Sequence, residues 1–372
     1  MRKFLPLVSI LVLTFMASVS FMGCTDIDEE APGLSFDRGS LLKEWADQTI
    51  VSAYAQWQER TSQLEGAVAL LVDEPNASRV EAAREALTSA YASWQSVATF
   101  DFGPASDRAL LATTNTFPVD TVGVVEDIAL TNWAPGTPSS LSRMGLPALD
   151  YLLFSEADAN GVAQGLSEAP ERGQHLLRLV GFLAEESGAV SAAWNSEYRD
   201  QFVASTGTEL GSGLGATLNA FNRTFESNLR KQKLGLPSGV STFSQTPLPG
   251  HVEAPFAGDL SLHLMKEAFL SYRNLYLGVP VQGDGTLGLD DYLKSLGDVH
   301  RGAQLDADIR AQLDAAEDAL DRLESPLAEF VVNRQDLTFE AYAELQGLVV
   351  LWKVDMMSAL GILVTYQDND GD

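Results

Sequence analysis

The chain has 372 residues, of which 51 are acidic and 24 are lysine or arginine, so its formal net charge at pH 7 is −27. A surface this acidic repels phosphate backbones, which argues against nucleic acid as a partner. The single cysteine excludes an intrachain disulfide and a paired-cysteine zinc site.

The N-terminus has the pattern of a secretory signal: Met1-Arg2-Lys3, an apolar run through Met22, then Gly23-Cys24. Phe21-Met22-Gly23-Cys24 resembles a lipobox, although Phe21 stands where leucine is usual. We therefore expect residues 1–23 to be a lipoprotein signal peptide and Cys24 to be lipidated. An uncleaved membrane anchor, or ordinary cleavage that leaves a free thiol, are the alternatives. The expected location is the cell envelope, lipid-anchored in the outer membrane or facing the periplasm.

After a tether at residues 24–37, apolar residues recur every three or four positions, which predicts helices. The first runs through Leu41–Leu64, and Asp73-Glu74-Pro75-Asn76 joins it to a second that opens with the capping-box pair Ser78 and Glu81. Further helices are predicted at about 120–130, 148–155, 171–202, 208–232, 261–277, 289–297, 304–331 and 337–365. Apart from short pieces near 277–282, no segment alternates like a strand. We predict an all-α protein with helical domains at 38–203 and 204–372.

Two glycine-containing segments hold candidate site residues. Asp150 lies among apolar residues in a helix that begins near Gly145, where it either complements the helix dipole or serves a site. Gly103 and Pro104 form a turn, and Asp120 is placed to cap the next helix. For both segments the spacing alone favours the structural role over a binding role.

A histidine and acid group follows in the second half: His251, Glu253, Asp259, His263 and Glu267. His263 and Glu267 are four residues apart and would share a helix face. Imidazole and carboxylate groups can bind a divalent metal, but the spacing matches no H-E-x-x-H template, so a solvated surface group is the stronger interpretation. His175 and His300 have no partners at ligand spacing and are expected on helix surfaces.

Taken in order along residues 38–372, several segments resemble the imelysin family of exported bacterial proteins. The matching pieces are Phe102-Gly103-Pro104, Phe117-Pro118-Val119-Asp120, the helix from Gly145, Leu234-Gly235-Leu236-Pro237-Ser238-Gly239, Glu253 ahead of a helix at Ser261, and Asp370-Gly371-Asp372. The resemblance implies a two-lobed all-α fold, each lobe built on a four-helix-bundle core, with a site between the lobes. It also implies an envelope lipoprotein linked with iron acquisition, in a family whose founding members were described as metallopeptidases.

The family hallmark G-x-H-x-x-E falls on Gly145-Leu146-Pro147-Ala148-Leu149-Asp150. Gly145 matches, but Pro147 replaces the histidine and Asp150 replaces the glutamate. Proline offers no metal ligand and no acid–base group, so catalysis is harder to retain than binding. The sequence therefore predicts a non-catalytic binding protein for iron uptake or other small-ligand uptake. The alternative is a divergent metallopeptidase that uses His251, His263 and Glu267.

The predicted ligand site is one cleft faced by Asp150, Asp120 and Glu253, with Gly103 and Pro104 shaping its wall. The resemblance adds Gly145 and Ser261 to the ligand-binding set. Converging carboxylates would favour a cationic or donor-rich ligand, and no cofactor is specified beyond a possible divalent metal or iron. Expected partners are the membrane through the anchor at Cys24, an outer-membrane uptake receptor and a small ligand.

Overall fold

The computed structural model describes residues 36–130, 132–156, 158–297 and 301–366. The predictions for the signal peptide, Cys24, His300 and Asp370-Gly371-Asp372 lie outside these residues. Within the described ranges the regular secondary structure is helical and contains no strand, which confirms the all-α fold class.

The first half of the chain contains ten α-helices in the described ranges. They are α1 (Arg38–Glu44), α2 (Val51–Asp73), α3 (Ala77–Val97), α4 (Pro104–Asp107), α5 (Leu110–Asn115), α6 (Thr121–Ile128), α7 (Gly145–Phe154), α8 (Ala159–Glu168), α9 (Pro170–Ala193) and α10 (Arg199–Ala204). Short 3₁₀ turns lie at Ala98–Phe100 and Leu141–Arg143, and wider π-helical segments at Trp45–Ile50 and Trp194–Tyr198.

The second half contributes eight more described α-helices. They are α11 (Gly213–Thr224), α12 (Leu236–Ser238), α13 (Leu260–Tyr276), α14 (Leu289–Ser295), α15 (Gly302–Asp321), α16 (Leu327–Asn333), α17 (Gln335–Val349) and α18 (Met357–Ala359). A 3₁₀ turn lies at Pro249–His251, and π-helical segments lie at Phe225–Gly235 and Val350–Met356.

The predicted helices need correction, beginning with α4, α5 and α8, which were not predicted. The cap of α3 is Asn76, whose side chain accepts a hydrogen bond from the Arg79 amide, so the Ser78–Glu81 capping box is wrong. The predicted helix at 304–331 is two helices, because Pro326 cannot continue the ladder of amide donors and instead precedes α16.

The core forms where the long amphipathic helices pack. Helix α2 lies along both α3 and α9, with α7 and α8 packed against them. In the second half, α15 packs on α17, while Phe225–Gly235 packs on α13 and α17. Helix α3 also contacts α13, which joins the two groups of helices. The domain boundary near residue 203 stays a prediction.

His175 is part of this core, so its expected place on a helix surface is wrong. Its side chain is 0% exposed, and its ring centroid lies 4.6 Å from that of Trp133. Burial, with a smaller contribution from the Arg178 charge, lowers the pKa of His175 to about 4. Neutral imidazole is therefore the form that the core accommodates.

A membrane-spanning helix is not found among the described residues, since none of these helices has both the length and the low polarity required.

Candidate functional site

Glu253 is a buried carboxylate where the two groups of helices meet. Its side chain is fully enclosed and receives hydrogen bonds from three polar side chains. Gln95 at the end of α3 donates to Oε1 at 3.1 Å, and Asn115 at the end of α5 donates to the same oxygen at 2.6 Å. The Lys233 ammonium pairs with Oε2. A buried charge needs such partners, and here they come from three separate elements.

Asp150 fixes the segment that carries Glu253. It lies in α7 with 0% exposure, and its two oxygens accept the backbone amides of Phe256 and Ala257 at 3.1 and 2.9 Å. Ser261 at the start of α13 donates its hydroxyl to the Glu253 carbonyl oxygen. Asp150 thus ties the first half of the chain to residues 253–257.

The charge state of Asp150 depends on opposing effects. Burial raises its pKa to about 7, the two amide hydrogen bonds oppose that rise, and the nearby Glu253 charge adds to it. Tyr91 lies within electrostatic reach of both acids, and its buried hydroxyl has no hydrogen-bond partner among the described residues. Burial, then the charges of Asp150 and Glu253, raises the pKa of Tyr91 well above its usual range.

Gly145 is required by the close approach of two backbones. Its φ is +70°, and a Cβ there would lie 2.2 Å from the Thr114 carbonyl oxygen and 2.7 Å from that of Thr113. Because these carbonyls belong to the end of α5, the glycine allows α7 to pack beside the residues that lead to Asn115. Gly145 therefore contributes to the site through the packing of α7 against the end of α5.

The other predicted site residues make different contacts, and none of them lines the cavity described below. Asp120 is exposed and caps α6, accepting the Gly123 amide at 2.9 Å. Gly103 has a φ of +51° and abuts Tyr198, whose hydroxyl oxygen would lie 2.0 Å from an added Cβ. Pro104 is buried at the first position of α4. The structure therefore brings together Asp150, Glu253 and Ser261, and leaves Asp120 in its capping role.

A cavity of about 390 Å³ opens beside Glu253, between α3–α5 and Phe225–Gly235. It is lined by Trp94, Gln95, Ala98, Asp101, Ser106, Ala109, Leu111, Ala112, Asn115, Thr116, Phe117, Arg223, Asn228, Leu229, Gln232, Lys233, Ala268 and Tyr272. Three of these residues, Gln95, Asn115 and Lys233, are the donors to Glu253. This volume lies in the range of small-molecule sites.

Four of the lining residues come from the π-helical segment Phe225–Gly235. π-Helical turns are rare, and they are frequently found at functional sites. The segment presents Asn228, Leu229, Gln232 and Lys233 to the cavity.

Comparison with known proteins identifies the family of this chain. The sequence profile of the imelysin family, described as a peptidase family, matches residues 50–349. The chain belongs to the imelysin family. It is 28% identical over 153 residues to iron-regulated protein A of Synechococcus elongatus, a match that covers 41% of this chain and 39% of that protein.

Two crystal structures share the imelysin fold seen here. An iron-regulated protein A precursor from Parabacteroides distasonis aligns with a TM-score of 0.70 at 15% identity, covering 89% of this chain and 97% of that one. An imelysin-like protein from Psychrobacter arcticum aligns with a TM-score of 0.68 at 18% identity, covering 90% and 99%. At these identities the likeness concerns the fold.

The position of the imelysin hallmark does not fit a catalytic metal in this chain. Pro147 is buried and has no ligand atom, and the oxygens of Asp150 are occupied by backbone amides. The Nδ1 atom of His263 lies 3.9 Å from a Glu267 oxygen on an exposed face. Among the described residues, however, no group of three or more histidine, cysteine or acidic side chains is arranged to hold a metal ion. His251 thus does not join His263 and Glu267 in such a group.

Sequence reasoning missed the basic and amide residues of this imelysin site. Gln95 and Arg223 lie on helices that were predicted as ordinary amphipathic segments, and Lys233 directly follows one. Asn115 lies in α5, which the sequence pattern did not predict. One signal was available, because Arg230-Lys231-Gln232-Lys233 is a basic run in a strongly acidic chain. Its pairing with Glu253 depends on packing that the sequence pattern does not display.

Proposed function

We propose that this imelysin is a non-catalytic binding protein that holds a small ligand in the cavity beside Glu253. One observation carries the proposal: a cavity of about 390 Å³, lined by polar and apolar side chains, adjoins Gln95, Asn115 and Lys233, the hydrogen-bond donors to Glu253. Pro147 supplies no reactive atom, and Asp150 is committed to backbone amides. Binding needs shape and hydrogen-bonding groups, and these remain.

The biological setting is proposed from the relatives and the N-terminus. Two relatives are named iron-regulated protein A, which supports a role in iron uptake or in uptake of another small ligand. The lipobox-like sequence supports lipidation at Cys24 and a place at the cell envelope. An outer-membrane uptake receptor is the partner that this setting suggests.

A panel of probes tests the binding function. Purified protein is heated with citrate, ferric citrate, sorbitol or spermidine, and the melting temperature is followed by circular dichroism. A ligand at 100 times its Kd stabilises the folded state by about 2.7 kcal/mol, which raises the melting temperature by several degrees. We expect at least one probe to do so.

Two variants test whether the probe that raises the melting temperature binds in this cavity. Ala112→Phe places a ring in the cavity and should abolish the shift, whereas Ala82→Phe on the exposed surface of α3 should keep it. A shift that survives Ala112→Phe would place binding elsewhere. If no probe stabilises the wild type, the proposal loses its support.

A chelator-sensitive peptidase assay addresses the alternative function. The binding function predicts no turnover of a broad peptide library, with or without added divalent metal. Turnover that a chelator removes would favour a metallopeptidase, and His251, His263 and Glu267 would be the first residues to replace.

A further inference from the structure

Arg223 is the charged cavity residue with the most unused hydrogen-bonding capacity. Its Nη2 atom donates to the Asp101 carbonyl oxygen at 2.8 Å and to Asp101 Oδ2 at 2.9 Å. A guanidinium carries five N–H donors, and the Nε and Nη1 groups have no hydrogen bond within the described part of the chain. Asp101 therefore fixes the plane of the guanidinium and leaves donors for a ligand.

The other charged groups at the cavity already have partners, and the Asp101 carboxylate, which also lines it, is paired with Arg223 itself. Lys233 is enclosed and paired with Glu253, and its ammonium lies 5.8 Å from the Phe117 ring centroid. Glu253 also accepts from Gln95 and Asn115. A bare cation would have to displace these internal bonds, so the carboxylates do not form an open cation site. An incoming carboxylate can bind Arg223 without breaking any of them.

Asn115 supplies an acceptor next to these donors. Its Nδ2 is committed to Glu253, while its Oδ1 is buried without a hydrogen-bond partner among the described residues. A buried amide oxygen without a hydrogen bond destabilises the folded protein, and a ligand hydroxyl could donate the missing hydrogen bond. The cavity thus offers a cationic donor for an anion and a separate acceptor for a hydroxyl group.

We propose that the cavity binds a small hydroxycarboxylate, with its carboxylate on Arg223 and its hydroxyl on Asn115 Oδ1. This inference rests on the proposed binding function. The volume of 390 Å³ accommodates about a dozen water-sized groups, which suits a compact organic acid. Trp94, Phe117 and Tyr272 provide apolar walls for its carbon skeleton. In a ferric chelate the hydroxyl oxygen is bound to iron and cannot donate to Asn115 Oδ1, so the proposed ligand is the free acid.

Calorimetric titration of the full mature chain with citrate is the direct test. We expect Arg223→Gln to weaken citrate binding about 10- to 100-fold, because a charge-assisted hydrogen bond is lost. Arg273→Gln is the matched control: Arg273 also lies in the last turn of a helix and pairs with one acid, Glu317, but it does not line the cavity. It should bind citrate like the wild type.

A ligand analogue without the hydroxyl group tests the contact with Asn115. Tricarballylate is citrate without its hydroxyl group, and it should bind the wild type about 5- to 10-fold more weakly, which corresponds to a neutral hydrogen bond of about 1 kcal/mol. In Asn115→Ala the two acids should bind equally. Ferric citrate, whose hydroxyl oxygen is bound to iron, should bind more weakly than free citrate, and equal or tighter binding of the chelate would overturn the hydroxyl contact.

The outcomes separate this inference from the proposed function. If sorbitol or spermidine binds in a manner that Ala112→Phe blocks, while citrate does not bind, the cavity is a site but the hydroxycarboxylate is wrong. If citrate binds equally to wild type and Arg223→Gln, the role of Arg223 is refuted. If no probe binds, both proposals fail. Should Arg223→Gln not fold, Arg223→Lys retains the charge and should show a smaller loss of affinity, because it lacks the planar fork.

Discussion

Replacing Asp150 with asparagine tests how a buried carboxyl group can hold the Phe256–Ala257 backbone. The substitution keeps the size of the side chain and removes its titration. An asparagine oxygen can accept one of the two amides, but the NH₂ group then faces the other donor. The loss of one buried hydrogen bond should cost about 1–3 kcal/mol of the free energy of unfolding, independent of pH.

The wild type should show a pH dependence that the variant lacks. The pKa of Asp150 is about 7 in the folded protein against 3.8 for an unperturbed aspartate. Between these values the folded state keeps a proton that the unfolded state has released, so stability falls as pH rises. The slope approaches 1.4 kcal/mol per pH unit, or about 4 kcal/mol over the whole interval. The free energy of unfolding of the wild type should therefore exceed that of Asp150→Asn by most at about pH 4.5. This difference should close or reverse by about pH 8.

Urea denaturation followed by far-ultraviolet circular dichroism at several pH values measures this gap. Titrating groups that do not interact with Asp150 contribute equally to both proteins, so their contributions cancel in the difference. Asp120→Asn is the control, because asparagine caps a helix as well as aspartate does, and Asp120 lies at an exposed N-cap. A gap between wild type and Asp150→Asn that stays constant from pH 4.5 to 8 would refute the reasoning.

Three further predictions concern packing, the buried ion pair and lipidation. Gly145→Ala should destabilise the protein by more than about 2 kcal/mol in urea denaturation, since a Cβ would collide with a backbone carbonyl. Gly165→Ala, in a helix with open space around the added carbon, should be neutral or stabilising by up to about 1 kcal/mol, and equal effects at the two sites would contradict the argument. Lys233→Met should cost about 3–5 kcal/mol because Glu253 is left buried without its counter-ion, and adding Glu253→Met should restore part of that loss in a double-mutant cycle. An additive cycle would mean that the two side chains are not coupled. Cys24→Ser should yield an unlipidated protein that no longer incorporates labelled palmitate, and unchanged labelling in that variant would refute lipidation at Cys24.

Local sequence determined the long helices and some of their ends, whereas the short helices α4, α5 and α8 were not predicted. Apolar residues at spacings of three and four fix which face of a helix is buried, and this is a property of neighbouring residues alone. The turn at 73–76 falls between α2 and α3 as predicted, and Asp120 caps α6 as its position before the helix indicates. The family also followed from short segments in order along the chain.

Tertiary structure alone decided the chemistry of the site. Glu253 looked like one member of a histidine and acid group along the chain, yet its partners Lys233, Gln95 and Asn115 come from three other segments. Asp150 looked suited to a helix dipole or a ligand, and it instead accepts amides more than 100 residues away. Burial and charge pairing depend on which elements meet, and helical periodicity specifies a buried face without specifying the residue that will lie opposite it. For that reason Asp150 and Glu253 could be found in the sequence, while the pairing of Glu253 with Lys233 could not.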